Sequence, residues 1–285
     1  MPYPGVRVKV TSGNLLRSIS VVDGIGAVAA TAATPENIGV VRQVFSLQDA
    51  ENKGYTLAAE PFIHGFLSVF YGELGGNQLL YVLGTPETMT MADVVNSTNV
   101  NGLMRILSES GGDTNLIAVV RKPSAGYNAG AGFLDADVEQ TVLSSLPICQ
   151  AAQNRNTPMR LFIEGRVANQ NVANTFKPNT ANNGFVSVVL GGTSDDGSAA
   201  VALALARACK FAAHVKLGSG QNGALTAGQI YIGSERMEER LDMEQLHDQG
   251  FLTFQRRPGA AGYYFGVDNM ADSGDFRIQI GRAHV

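Results

Sequence analysis

Hydrophobic and polar residues alternate with a period of two near both ends of the chain. Val6, Val8 and Val10 alternate with basic residues, and Phe276 and Ile278 alternate with polar ones. A period of two is typical of a β-strand with one buried face. Chain ends are ordered mainly where another element holds them. The pattern therefore predicts two terminal strands that pair with a sheet of the same or of a neighbouring subunit.

Between these ends, short apolar runs alternate with stretches of helical periodicity. The strand candidates are the apolar runs at residues 18–31, 38–46, 78–83, 115–121, 159–164 and 185–190. The helix candidates cover residues 46–53, 58–74, 91–110 with a break near 98–102, 136–155 and 198–215. The order strand–helix–strand–strand–helix between residues 115 and 215 predicts an α/β (α+β) fold, with a mixed β-sheet core flanked by helices.

A charged stretch at residues 235–248 predicts a further helix. It carries the acidic residues Glu235, Glu238, Glu239 and Asp242. A solvated face is the simplest interpretation of such a run, and an electrostatic docking surface is the functional alternative.

Two apolar runs follow, at residues 251–255 and 263–267. The loop between them contains Pro258, Gly259 and Gly262, which predicts a β-hairpin with a loop of more than the commonest length. The carboxyl-terminal part is therefore predicted to be rich in β-structure.

Composition narrows the class of protein. Hydrophobic residues make up 45% of the 285 residues and charged residues 16%, as in a globular chain. The net charge of −4, without any block of Lys or Arg, gives no indication of a nucleic-acid surface. The longest apolar stretch, residues 199–205, is too short to span a bilayer, so we expect no membrane insertion. Cys149 and Cys209 lie in apolar helical stretches and are interpreted as small buried hydrophobes.

Two glycine-rich loops could carry chemistry. Gly126, Gly130 and Gly132 lie between a predicted strand and a predicted helix, where a phosphate could bind at the helix amino terminus. Their spacing matches neither the dinucleotide fingerprint nor the Walker loop, which favours a surface loop. In the loop at residues 191–197, Asp195 and Asp196 could bind a cation, but helix capping explains them more simply.

The histidines give no indication of a zinc site, because none lies three or four residues from another histidine or a cysteine. They are His64, His214, His247 and His284. His64 lies in an aromatic-rich predicted helix, which favours a structural role with a satisfied hydrogen bond.

The segments, taken in order, resemble those of the contractile tail-sheath family, which clothes phage tails and related bacterial injection machines. The motifs that carry the resemblance are Pro4-Gly5-Val6, residues 23–31, Phe45-Ser46-Leu47-Gln48-Asp49-Ala50 with Gly54, residues 61–71 and 79–83, residues 184–190, Gly223-Ala224-Leu225, and residues 250–257, 263–270 and 276–278. They extend over nearly the whole chain. The chain is similar to a compact, divergent branch of the family.

The resemblance implies a mechanism without an active site. Subunits of the family lend terminal strands to their neighbours by β-strand addition, a role that would fall to Val6, Val8, Val10, Phe276 and Ile278. Contacts that do not close produce a helical tube. The tube contracts and drives an inner tube through a cell envelope.

The resemblance also implies the partners. These are further copies of the chain, an inner tail-tube protein, and baseplate and tail terminator proteins, with the acidic residues of the 235–248 stretch as a tube-facing surface. It implies no enzymatic activity, no metal, no cofactor and no nucleic acid. The expected location is a virion tail assembled in the cytoplasm of a bacterial host, and the choice between phage, tailocin and injection system stays open.

We expect an amino-terminal arm at residues 1–20, a core at residues 21–235 with a subdivision near residue 111, and a truncated carboxyl-terminal domain at residues 236–279. Residues 280–285 match one reading frame of a widely used sequencing adapter and are interpreted as a non-native tail. The closing strand would then be incomplete.

Two alternatives remain open from the sequence. One is a nucleotide- or phosphate-binding α/β enzyme that uses the loop from Gly126 to Gly132. The other is a different self-assembling structural protein of a tail. Polymerisation into tubes and binding of nucleotide are the observations that separate these hypotheses.

Overall fold

The computed structural model describes residues 24–128, 130, 133–169, 175–211, 215, 217–219, 222–237, 240–257, 259, 261–266 and 271. Its centre is a six-stranded sheet in the order β2-β3-β1-β4-β5-β6. The strands are β1 (Gly26–Thr31), β2 (Val41–Val44), β3 (Leu80–Thr85), β4 (Leu116–Val119), β5 (Arg160–Glu164) and β6 (Val186–Val189).

Five of these strands are parallel, and β2 is an antiparallel edge strand beside β3. Every residue of β1, β3 and β4 is buried. Strands covered on both faces become continuous apolar runs, which explains why these segments lack alternation. At Gly84 of β3 a Cβ atom would collide with the backbone oxygen of Asn37, so only glycine fits there.

Helices cover both faces of the sheet. They are α1 (Leu47–Asn52), α2 (Pro61–Leu74), α3 (Met91–Val95), α4 (Leu103–Glu109), α5 (Ala136–Ser144), α6 (Leu146–Asn154) and α7 (Val201–Lys210). Helices α2 and α7 pack against each other over β1, β4 and β5. Helices α3 and α4 contact each other, α5 packs against α3 and β5, and α4 contacts β2 and β3. The α/β prediction with flanking helices is therefore confirmed.

Local signals set the helix ends. The Ser46 side chain accepts a hydrogen bond from Asp49 N at 3.1 Å and caps α1. Pro61 stands at the start of α2, and Gly75 ends it with a positive φ of 71°. Thr90 begins α3 with a capping box.

Two predicted helices are shorter than expected. The stretch 136–155 is two helices, α5 and α6, which meet at Ser145. Pro147 explains the break, because it lacks the N–H group that would continue the hydrogen-bond ladder from α5. Helix α7 spans ten residues from Val201, whereas residues 198–215 were expected.

Among its described residues, the carboxyl-terminal part contains two short sheets and one helix. Its elements are β7 (Tyr231–Ile232), β8 (Glu235–Arg236), α8 (Arg240–Asp248), β9 (Phe254–Arg256) and β10 (Tyr263–Phe265). Strands β9 and β10 form the predicted antiparallel hairpin. The β-rich prediction for this part is confirmed.

The prediction of one helix over residues 235–248 is wrong at its amino-terminal end. Glu235 lies on the exposed strand β8, which pairs with β7 across the two-residue turn of Gly233 and Ser234. Gly233 has a φ of +65°, as tight hairpin turns require. The run of charged residues favoured a helix, so this turn was not predicted from the sequence. Asp242 lies on α8, while Glu238 and Glu239 lie outside the described residues.

The two edges of the central sheet differ. Leu252 and Ala271 form hydrogen bonds with the outer side of β6 and cover it. Within the described ranges, no strand pairs with the outer side of β2. There Lys53 Nζ donates to the backbone oxygen of Gln43 at 2.6 Å. No helix among the described residues is long and apolar enough to cross a bilayer.

Candidate functional site

The carboxyl ends of the parallel strands are the first place to look for a ligand. Without β2, the strand order is β3-β1-β4-β5-β6, which is a doubly wound order with its switch point between β1 and β4. Ligands of such sheets bind outside the carboxyl ends of the strands at the switch point. We call this side of the sheet the carboxyl edge.

At the end of β1, the amide groups that could bind an anion are occupied by Glu60. Its carboxylate accepts hydrogen bonds from Ala33 N at 2.6 Å and from Thr34 N at 2.9 Å. It also accepts from Thr34 Oγ1 at 2.5 Å and from Asn37 Nδ2 at 2.8 Å. Burial acts to raise the pKa of Glu60, but these hydrogen bonds outweigh it and hold that pKa below its usual value. An internal carboxylate thus fills the position of a bound oxyanion.

Beyond the end of β3, at the start of α3, Asp137 has the same role. It accepts hydrogen bonds from Met91 N at 2.8 Å and Ala92 N at 3.2 Å, the first amides of α3. Arg121 Nη1 donates to Asp137 at 3.1 Å. The amino terminus of α3 is thereby satisfied within the protein.

A second arginine joins this group. Nη2 of Arg166 lies 3.3 Å from Asp135 Oδ2 and 3.6 Å from Asp137 Oδ2. All three side chains are buried, with at most 6% of their surface exposed. Buried charges need such partners, because desolvation would otherwise disfavour them. The arrangement is a compact ionic cluster between β4, β5 and α5.

The loop from Gly126 to Gly132 contributes little free amide surface among its described residues. Asn128 N donates to Asp135 Oδ2 at 3.2 Å, and Gly130 N donates to the backbone oxygen of Leu134 at 3.1 Å. Asp135 also caps α5. The contacts within the chain support the surface-loop interpretation and give no support to the phosphate-binding alternative. Gly132 lies outside the described residues.

A cleft opens beside the end of β5. It encloses about 280 Å³ between the start of α2 and the segment that leads into α7. Glu164 lies at its floor, 1% exposed, and accepts hydrogen bonds from Arg121 N at 2.7 Å and Ala199 N at 3.3 Å. Burial raises the pKa of Glu164 to about 7. The cleft therefore holds an acid that titrates near neutral pH.

Asp196 lies at the rim of the same cleft. Its Oδ1 accepts hydrogen bonds from Ser198 N at 3.0 Å and Ser198 Oγ at 2.6 Å. Partial burial acts to raise the pKa of Asp196, but these bonds and one from Ser194 hold it below its usual value. The aspartate organises a turn before α7 and does not cap the helix. No group of three or more potential metal ligands occurs within the residues that the structure describes.

The face that carries α2 and α7 contains a buried ion pair. Arg207 Nε of α7 donates to Glu73 Oε1 of α2, and its guanidinium also donates to Asn222 O and Ala224 O at 2.7 Å each. Glu73 Oε2 accepts from Thr226 N at 2.7 Å. The pair therefore fastens residues 222–226 to the two helices. This segment includes the Gly223-Ala224-Leu225 motif.

The structure also locates the two cysteines and His64, which the sequence analysis interpreted as structural residues. Cys149 and Cys209 are free and buried, which confirms their interpretation and raises the pKa of each to about 12. His64 Nε2 lies 3.0 Å from Glu51 Oε1, as its structural role predicts. The predicted linking residues lie outside the described part of the chain: Val6, Val8, Val10, Phe276 and Ile278.

Sequence reasoning did not identify the acids of the carboxyl edge. One signal was available for Glu164, which ends an apolar run. The same kind of signal marked the buried pair between α2 and α7, because Glu73 interrupts the apolar stripe of α2 and Arg207 lies within an Ala-rich helix. A charged residue at an otherwise buried position indicates a buried partner.

Comparison with solved structures finds sheath proteins of contractile systems among the structural neighbours of this chain. The chain superposes on the helical sheath of the anti-feeding prophage in its contracted state, with a TM-score of 0.54, 13% identity, and coverage of 98% of this chain and 72% of that one. The chain also superposes on the sheath complex of the extracellular contractile injection system PVC in its contracted state. The TM-score is 0.53 at 12% identity, and the match covers 98% of this chain and 70% of that one.

A crystal structure of a sheath tail protein from Desulfitobacterium hafniense has a TM-score of 0.54 at 9% identity, and the match covers 97% of this chain and 79% of that one. No protein-family model and no curated protein matches the sequence. At this level of identity, the likeness concerns the fold.

Proposed function

We propose that this chain, whose fold is that of contractile tail-sheath proteins, is a structural subunit of a contractile sheath. It polymerises helically around an inner tube and contracts to drive that tube through a cell envelope. The observation that carries the proposal is the superposition of 98% of the chain on a sheath subunit. A match over the whole chain includes the carboxyl-terminal part as well as the common α/β sheet.

The carboxyl edge gives independent support. Glu60 occupies the backbone amides that follow β1, and Asp137 occupies those at the start of α3, which follows β3. Both groups of amides lie at the carboxyl edge, where an α/β enzyme of this strand order would bind its ligand. A subunit that works by assembly needs no free ligand site there. The proposal therefore includes no catalytic residue and no cofactor.

Assembly is proposed to use the terminal segments. Residues 1–20 form an arm whose strand at Val6, Val8 and Val10 pairs with a neighbouring subunit, and the segment around Phe276 and Ile278 contributes a second link. Core residues 21–235 and a carboxyl-terminal domain from residue 236 would then move as bodies joined by these strands. Such a mesh keeps subunits connected by backbone hydrogen bonds while they slide.

Electron microscopy of the purified full-length protein tests the proposal. We expect tubes or sheath-like helical polymers. Replacement of Val8 by proline removes a backbone donor from the arm and should reduce polymer yield, while Val8→Thr retains strand propensity and serves as the matched control. A monodisperse protein that never polymerises and binds nucleotide would overturn the sheath proposal in favour of the enzyme alternative.

The inner tube is proposed to meet the acidic residues Glu235, Glu238, Glu239 and Asp242. Glu235 lies on β8 and Asp242 on α8, so the proposed surface spans a hairpin and a helix. Replacing these acids by lysine should impair assembly on the tube protein because the sign of the surface charge reverses. The exposed Glu109 of α4, changed to lysine, is the control. Unchanged assembly of the charge-reversed protein would rule out this surface.

A further inference from the structure

The cleft beside β5 combines apolar walls with an acidic floor. Its walls include Pro61, Phe62, Phe66 and Val69 of α2, and its acids are Glu164 and Asp196. Its volume of about 280 Å³ is slightly below the usual range for small-molecule sites, roughly 300–1,000 Å³. A single long side chain with an aliphatic stem fits such a space better than a cofactor does.

Glu164 lacks an ionic partner within the described residues. No lysine, arginine or histidine nitrogen of the described residues lies within ion-pair distance of its carboxylate. The charge of Arg166 lowers its pKa, but Arg166 pairs with Asp135 and Asp137. A carboxylate can accept about four hydrogen bonds, and the two backbone amides account for only part of that capacity.

The local charge favours a cation. The amino termini of α2 and α7 lie beside the cleft, and each contributes about half a positive charge. Above pH 7, where both carboxylates are ionised, they outweigh these dipoles and leave about one negative charge. Glu164 and Asp196 are the titratable side chains that line the cleft.

We propose that this cleft binds the ammonium or guanidinium group of a lysine or arginine side chain from a second copy of this chain. The apolar walls contact the aliphatic stem, and Glu164 accepts from the charged head. The choice of a second copy rests on the proposed function, because a polymer holds neighbouring copies at high effective concentration.

Binding of n-butylguanidinium to the wild-type protein tests the cleft directly. With the glutamate side-chain carboxyl carbons labelled with carbon-13, NMR should show that the probe lowers the pH at which Glu164 titrates. Binding should weaken as the pH falls below 7, since protonation removes the acceptor charge. Butyrate, which has a similar stem but the opposite charge, should not bind. If n-butylguanidinium does not change the pH at which Glu164 titrates, the proposal is overturned.

Two variants locate the site. Glu164→Gln should weaken n-butylguanidinium binding about ten- to a hundredfold, because a charge-assisted hydrogen bond is lost. Asp196→Asn lies at the exposed rim and should weaken it less. Glu109→Gln removes an exposed acid away from the cleft and should leave binding unchanged. Equal affinity of wild type and both cleft variants would contradict the assignment.

Self-association then tests the occupant. Sedimentation of the wild-type protein should show less self-association in the presence of n-butylguanidinium, and Glu164→Gln should show the same loss without the probe. If tubes form equally well from Glu164→Gln and the probe does not bind, the cleft assignment fails while the sheath proposal stands. If the probe binds but no polymer forms under any condition, the second copy is the wrong occupant and the sheath proposal fails.

Discussion

Strands β1, β3 and β4 lie in the middle of the central sheet with every residue buried, whereas β7 and β8 form a two-residue ladder in which both residues of β8 are exposed. The central sheet is held by apolar side chains in continuous register. The carboxyl-terminal part also buries apolar residues, such as Phe251, Phe254 and Phe265, but its sheets are two-stranded. The segment at residues 222–224, which precedes these sheets, is fastened by polar contacts of Arg207.

The difference has a physical cause. Strands of four to six residues that are covered on both faces bury enough apolar surface to stabilise one another collectively, while a two-stranded ribbon is at best marginal alone. Short sheets therefore depend on what they are attached to. For β7 the attachment is a pair of hydrogen bonds between Tyr231 and Gly192, each 2.8 Å. Loss of these two hydrogen bonds should loosen the short sheet alone, whereas substitutions within the central sheet or between α2 and α7 should lower the free energy of unfolding of the whole fold.

The largest effect is expected for Arg207→Met. The variant leaves the buried Glu73 without its cation, which should lower the free energy of unfolding by about 3–5 kcal/mol. Urea denaturation measures this loss, and hydrogen exchange should show residues 222–226 exchanging faster. Arg155→Met, at an exposed position, is the matched control. A loss no larger than that of the control would contradict the assigned role of the pair.

Adding Glu73→Gln to Arg207→Met sharpens this test. The glutamine removes the uncompensated charge and retains an oxygen that can accept from Thr226 N. We expect the double variant to recover part of the lost stability. If recovery is accompanied by continued rapid exchange at residues 222–226, the arginine is needed for attachment as well as for charge balance.

A smaller change in the free energy of unfolding, about 3 kcal/mol, is expected from the titration of Glu164. Its pKa is raised to about 7 from a reference of 4.5, so the stability that the protonated acid contributes is present below pH 4.5 and is lost as the pH rises through 7. The wild type should therefore lose stability relative to Glu164→Gln between pH 5 and pH 8. Parallel pH profiles of the two proteins would contradict the raised pKa.

Glu60→Gln should lower the free energy of unfolding by about 2 kcal/mol at pH 7, because the amide donors lose a charged acceptor. The pKa of Glu60 is lowered from its reference value of 4.5, so its contribution is present above that value and is lost as the pH falls through the lowered pKa. The difference between wild type and variant should therefore shrink in acid. Thermal denaturation at pH 7 and at pH 3 measures both values, with Glu109→Gln as the control.

The smallest effect is expected at the uncovered edge of the sheet. Lys53→Ala removes an exposed ion pair with Asp49 and a bond to Gln43 O, which should cost about 0.5 kcal/mol. Urea denaturation with and without added salt measures the change. A loss comparable to that of Arg207→Met would mean that β2 depends on single contacts as strongly as the carboxyl-terminal part does.

The same difference explains what could be predicted from the sequence. Strands β1, β4 and β5 were predicted because continuous burial produces apolar runs that are visible locally. The ends of α1 and α2 have local signals in the sequence, at Ser46, Pro61 and Gly75, because capping acts within one helical turn.

The polar contacts could not be predicted in the same way. Glu73 and Thr226 are 153 residues apart in sequence, and Glu164 and Ala199 are 35 apart. Nothing local indicates which distant amide a carboxylate will meet. The turn at Gly233 and Ser234 was a local signal, but the acidic run after it suggested a helix and the hairpin was missed.

Glu60 has a consequence for how the fold responds to its solvent. Its carboxylate belongs to the same chain as the amides of Ala33 and Thr34, so its effective concentration there is set by the fold and does not change with dilution. A free phosphate would have to compete with a tethered anion. Inorganic phosphate in the buffer should therefore leave this loop unchanged, and a descendant of this fold that binds nucleotides at β1 would first have to lose Glu60.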